Sequence, residues 1–239
     1  MIYANWPAPS NVTAFITTRE RGASRGIFSA FNLGDHVGDE PSAVHENRSM
    51  LQDSLGTSRS VCWLKQVHSN FIVAAEESDN PQEADAIYTY QKELPVAVMT
   101  ADCLPVFFAS KSGDQVAVAH AGWRGLCAGV LENTANCFAE PSELLVWLGP
   151  AIGQKYFEVG DDVRSAFVAK DLDADQAFLS VDRSNKYLAD LYLLAKLRLQ
   201  QLGISAIYGG DFCTYSDTRF YSYRREGQTG RMASVIFFS

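Results

Sequence analysis

Residues 104–120 read "LPVFFASKSGDQVAVAH", and the way this stretch folds decides the architecture. Two apolar runs, 104–109 and 115–120, flank the turn-forming Ser110-Lys111-Ser112-Gly113-Asp114, which predicts two strands joined as an antiparallel hairpin. A third apolar run, 95–101, precedes them. Beyond the hairpin, "GLCAGVLENTANCFAE" (125–140) has helical spacing and "ELLVWLGP" (143–150) reads as a strand. Hairpins with helices lying between strands predict a mixed sheet, hence an α+β fold rather than a doubly wound parallel one. No GxGxxG or GxxxxGK[ST] signature pulls the reading the other way.

Further along, "SNKYLADLYLLAKLRLQQL" (184–202) is the most helical stretch, with Ser184 placed to cap it and Gly203 to stop it. "AIYGGD" (206–211), "RFYSYRR" (219–225) and "MASVIFF" (232–238) read as short strands. The most loop-like stretches are 18–26, 76–85 and 214–230; none is long enough for a linker, so residues 1–239 are expected to form one catalytic domain.

With 47% hydrophobic residues the chain can bury a substantial core. A net charge of −8, with no basic block longer than Arg224-Arg225, argues against a nucleic-acid partner. The opening "MIYANWPAPSNV" has no signal-peptide pattern and no stretch is long enough to span a bilayer, so a cytoplasmic protein with no membrane partner is expected, here taken as a monomer. Cysteines at 62, 103, 127, 137 and 213 form no CxxC pair, which disfavours a disulfide framework and a four-cysteine zinc site alike.

The chemistry concentrates around "VMTADCLPVFF" (98–108), where Asp102 and Cys103 interrupt an apolar run. His68 closes "CWLKQVHSN" apart from two polar residues, and His120 closes "QVAVAH"; both stand at strand ends, as Cys103 does. His36 lies in "NLGDHVGD", and His45 reads as a solvated residue of a starting helix. Three readings of Cys103 remain open on residue type and spacing. It is a small core residue, a thiolate nucleophile activated by a histidine and oriented by Asp102, or a metal ligand with His68 and His120. One thiolate and two imidazoles would leave a fourth tetrahedral position free for water, as catalytic zinc requires.

Two further segments carry charge. In "HAGWRG", Gly122 and Gly125 flank Trp123 and Arg124 before a helix, a place where an anion could bind. In "RFYSYRREGQTGRMA", Arg219, Arg224, Arg225 and Arg231 alternate with aromatic rings, a lining suited to phosphate and a planar base.

The segments "WLKQVHSN", "VMTADCLPVFF", "AHAGWRGLCAGV", "WLGPAIG", "FEVGDDV", "KYLADLY" and "SYRREGQTGRMA" closely resemble those of the family known both as laccase-like polyphenol oxidoreductases and as purine nucleoside phosphorylases, which includes the bacterial peptidoglycan editing factor. The resemblance runs from "NVTAFITTR" to the C-terminus. It implies an α/β/β/α layered fold with mixed sheets and one catalytic zinc on His68, Cys103 and His120. It further implies phosphate-dependent cleavage of purine nucleosides and deamination of adenosine; Asp102, next to Cys103 in sequence, is placed to orient a ligand or carry a proton. We assign Arg19, Asn32 and Arg124 to substrate, Arg19 and Arg124 as anion contacts. Hydrolytic editing of a cell-wall precursor and copper-dependent phenol oxidation are the alternatives the resemblance carries. Four histidines are too few for a multicopper cluster, so copper would load the same His/Cys site in vitro. One departure stands out: the family's early loop usually has glycine where this chain has Arg21, which strains or rearranges the loop if positive φ is needed there.

Overall fold

The hairpin forms as expected. Leu104–Ser110 pairs antiparallel with Val116–Ala121 in a computed structural model that describes residues 1–75 and 81–239. This pair is the centre of a six-stranded sheet ordered Ile207–Gly209, Leu144–Leu148, Leu104–Ser110, Val116–Ala121, Ala86–Thr89 and Ile72–Ala74. Its inner pairs are antiparallel and its two outer pairs parallel, so the sheet is mixed. Of the loop expected over 76–85, residues 76–80 lie outside the described residues, and Gln82–Glu83 forms a short strand beside Leu64–Lys65.

A four-stranded antiparallel sheet, ordered Ile2–Tyr3, Val12–Ile16, Met232–Phe238 and Val96–Thr100, packs face to face on the first. Val96, Val98, Ile236 and Phe238 from this sheet meet Phe107, Val116, Val118 and Trp147 from the other. These strands read as continuous apolar runs because both faces are covered. On its far side the six-stranded sheet carries Trp123–Ala128, Val130–Ala135, Asp161–Val168 and Leu191–Gln201, whose apolar residues form the largest core. The helix Pro41–Ser54 covers the outer face of the four-stranded sheet through Leu51 against Phe15 and Val235. The layers are therefore α/β/β/α with a mixed sheet, the α+β architecture expected. Among the described residues no helix is long and apolar enough to cross a membrane.

Three expected elements differ. The span 184–202 is two elements: the strand Lys186–Ala189, central in a three-stranded antiparallel sheet, and the helix Leu191–Gln201. Asp190, not Ser184, is the cap; its Oδ1 accepts from Tyr192 N–H at 2.9 Å and Leu193 N–H at 3.0 Å. Gly203 does stop the helix, at φ 78. "RFYSYRR" is not a strand: Phe220 and Tyr221 are buried against Ile16 and Met232 without joining a sheet ladder, and Ser222 caps a single turn, Tyr223–Glu226. The helical stretch at 125–140 is broken at Gly129, whose φ of 100 only glycine adopts easily.

Candidate metal centre and its cavity

The two-sheet packing brings the Val96–Thr100 strand end and the Val116–Ala121 strand end to the same edge of the molecule. Cys103 follows the first and His120 sits in the second. His68 comes to them from the turn after Leu64–Lys65, at φ 58. One ligand atom from each of the three lies within 4.8 Å of the others. The two imidazoles stand edge to face, with ring centroids 4.8 Å apart.

A buried carboxylate sets this geometry. Asp85 Oδ1 accepts His120 Nδ1–H at 2.8 Å and His68 N–H at 3.0 Å, while Oδ2 accepts Ser69 N–H at 2.5 Å and Ser69 O–H at 2.8 Å. One carboxylate thus fixes the His68 turn and the orientation of the His120 ring, leaving His120 Nε2 as the ring nitrogen that a metal would take once it loses its proton. Burial alone would push the Asp85 carboxyl up, but the hydrogen bonds and charge of His120 and Ser69 hold it down at about 2. Burial likewise opposes ionisation of Cys103, yet His120 and His68 bring its thiol down to about 6. His120 is pushed up to about 9 against its own burial, by the Cys103 thiolate and Asp85. A thiolate and two imidazoles, one of them oriented by a carboxylate, make a donor set that could hold a metal ion.

Gly122 explains one glycine of "HAGWRG". A Cβ there would meet His68 Cδ2 at 3.0 Å and Cys103 Sγ at 3.3 Å, so the helix start packs on the three ligand residues. At Gly125 a Cβ would meet Ser69 O at 2.5 Å. Close approach accounts for both glycines. Arg124 lies over the Trp123 ring at 4.4 Å.

The three ligand residues open onto a cavity of ≈ 370 Å³. Met99, Ile152, Phe157 and Tyr223 supply apolar walls; His36, Gln66, Thr100, Asp102, Arg224 and Arg231 supply polar groups. Asp102, buried and at φ 89, accepts Thr214 O–H at 2.6 Å on Oδ1 and Arg224 N–H at 2.6 Å on Oδ2. Gln66 makes a rung to Met99, accepting its N–H at 2.7 Å and donating to its C=O at 2.8 Å.

Arg19, Asn32 and Arg124 are not among the cavity-lining residues. Arg19 donates to Ser29 O and pairs with Glu226 under the Tyr221 ring. Asn32 is buried and accepts Arg231 N–H at 2.8 Å and Gly34 N–H at 2.9 Å, so it holds the loop that carries His36 against Arg231. Arg21 does adopt the left-handed conformation, at φ 64. Asp85 escaped the sequence reading, though an acid opening the apolar run "ADAIY" signals a buried partner.

Fold and site define a layered α+β protein whose single cluster of three metal-ligating side chains, among the described residues, lines a ligand-sized cavity. Residues 13–239 match the family described as multi-copper polyphenol oxidoreductase laccase, and the chain belongs to that family. It is 50% identical, over 99% of this chain and 98% of the other, to a Haemophilus influenzae protein named purine nucleoside phosphorylase. It is 48% identical, over the same shares, to an Escherichia coli protein named purine nucleoside phosphorylase YfiH. A crystal structure of a Neisseria meningitidis protein is similar with a TM-score of 0.96 and 47% identity, covering 100% of this chain and 98% of that one. YlmD from Geobacillus stearothermophilus follows at 0.86 and 28%, covering 100% and 96%.

Proposed function

We propose that this chain is a zinc enzyme that cleaves purine nucleosides with inorganic phosphate in the cavity over His68, Cys103 and His120. The observation that carries the reading is the cavity itself: ≈ 370 Å³, walled by apolar and aromatic side chains, and lined as well by three metal-ligating side chains and by Arg224 and Arg231. That volume lies within the usual range for small-ligand sites, roughly 300–1,000 Å³. The names of relatives at about half identity point the same way.

In this reading Phe157, Ile152 and Tyr223 take the planar base, and the cationic wall neutralises phosphate. A phosphate oxygen bonds to ribose C1′ as the bond from C1′ to the base nitrogen breaks, its electron pair leaving with the purine. A zinc ion held by His68, Cys103 and His120 would supply Lewis acidity and an acidified water. Asp85 keeps the His120 tautomer fit to bind the metal, and Gly122 leaves room for the ligand residues to converge. Adenosine deamination belongs to the same proposal, as hydrolysis beside the same base pocket. The chain has four histidines and one three-residue ligand cluster among the described residues, so one metal is assigned, with copper able to load the same His/Cys set.

The test is metal analysis joined to a nucleoside panel, with and without phosphate, on wild type and Cys103→Ala. Loss of metal together with activity supports the ligand role. Lost activity with full metal retention makes Cys103 a nucleophile, and a metal-loaded wild type that cleaves no purine nucleoside ends the proposal.

A further inference from the structure

Of the arginines near the site, most are already neutralised. Arg19 and Arg225 pair with Glu226, and Arg219 pairs with Asp217 at 2.6 Å. Arg224 and Arg231 line the cavity and, among the described residues, form no ion pair with a carboxylate. Arg224 donates to Tyr156 O at 3.2 Å and Glu158 O at 3.1 Å, which holds its head beside the Phe157 ring.

Arg231 is fixed far more tightly. Its main-chain N–H donates to Asn32 Oδ1 at 2.8 Å and its C=O accepts Leu33 N–H at 3.2 Å. Gly34 lies against its stem so closely that a Cβ there would meet Arg231 Cγ at 2.8 Å. Only Nη1 is occupied, by Thr229 O at 2.9 Å and Gly230 O at 3.0 Å; Nε and Nη2 have no hydrogen-bond partner among the described residues. Burial lowers the basicity of the Arg231 guanidinium, and the charges of Cys103 and Asp102 partly offset this without a hydrogen bond to it; Asp102 spends its hydrogen bonds on Thr214 and the Arg224 N–H.

We propose that Arg231 is the oxyanion-binding residue of this cavity, receiving phosphate on its unpaired Nε/Nη2 edge. The proposal rests on the phosphorolytic reading above and deepens it by naming the phosphate subsite. A guanidinium whose stem and one terminal nitrogen are already immobilised presents its remaining fork in register with two oxygens of a tetrahedral anion, with little side-chain entropy left to lose. It also places Asn32 and Gly34 in a supporting role, holding Arg231 rather than touching substrate.

The test compares Arg231→Gln and Arg231→Lys with wild type and with Arg219→Gln, a charge-matched change outside the cavity. Inorganic phosphate is titrated calorimetrically into zinc-loaded and chelator-stripped protein, and inosine cleavage is followed at varied phosphate. Wild type and R219Q should bind phosphate in both metal states. R231Q should raise the phosphate KM by roughly tenfold or more, as loss of a charge-assisted pair implies, while the inosine KM and the zinc content hold; R231K should fall between. Phosphate affinity unchanged in R231Q, or a wild type that binds no phosphate, overturns the subsite. If inosine is not cleaved yet phosphate binding follows this pattern, the phosphorolytic reading fails and the oxyanion subsite stands.

Discussion

The Asp85 carboxylate accepts the Nδ1–H of His120 at 2.8 Å and the main-chain N–H of His68 at 3.0 Å, so one acid aligns two of the three side chains that could hold a metal. Asparagine in its place keeps one acceptor oxygen but turns the other into a donor facing Ser69 N–H. Asp85→Asn is therefore expected to weaken zinc binding by roughly 10–100-fold, the usual cost of losing a group that orients a ligand. Competition with a chromophoric chelator measures it, and wild-type affinity in the variant would show that Asp85 does not hold the ligand geometry.

In the metal-free protein the Cys103 thiol is drawn down to about 6 and His120 pushed up to about 9, so the pair stands as thiolate and imidazolium at neutral pH. A metal ion needs the lone pair on His120 Nε2. Loading therefore releases one proton between those two values and a second, from the thiol, below the lower one. Affinity rises with pH, by about tenfold per unit across that window, and levels off above it. Calorimetry in buffers of different ionisation enthalpy counts the protons; a count near zero at about pH 7.5 would mean that His120 is neutral before loading.

How much of this was legible in the sequence depends on the range of the interaction. The 104–120 hairpin was readable because apolar runs and a turn are local signals. Cys103, His68 and His120 stood out as ligand types at strand ends. Asp85 did not, because its role arises from the pairing of Ala86 with Ala119, which sets it beside a histidine 35 positions away. The 184–202 stretch misled for a related reason: Lys186–Ala189 is a strand only because Glu158–Gly160 and Phe178–Ser180 flank it. Arg231 was visible as one of four arginines, but which of them keeps an unpaired edge depends on where Asp217 and Glu226 fall.

Gly122 sits at φ −62 and ψ 154, a conformation alanine adopts freely, so Gly122→Ala acts by contact alone. Its methyl would press on His68 Cδ2 and Cys103 Sγ, displacing the ligand residues with little effect on the helix. The variant should lose zinc affinity by roughly tenfold while its metal-free melting temperature stays within about 4 °C of wild type, a shift of about 1 kcal/mol or less. A large fall in metal-free stability with intact zinc binding would contradict this.

Asp102 is a non-glycine residue at φ 89, held there because its carboxylate bridges Thr214 and Arg224 and its C=O accepts Ile152 N–H at 2.9 Å. Removing the carboxylate releases both side-chain bonds but leaves the backbone where it is, since the Ile152 contact does not depend on the side chain. Alanine then bears the left-handed conformation with nothing to hold it, whereas glycine adopts it without steric cost. Asp102→Gly should therefore melt above Asp102→Ala, by the equivalent of about 1 kcal/mol, the reverse of their order at an ordinary site. Thermal melts of the zinc-loaded variants decide it: if alanine is the more stable, the loop relaxes once the carboxylate is gone, and the bridge rather than the fold imposes the conformation at Asp102.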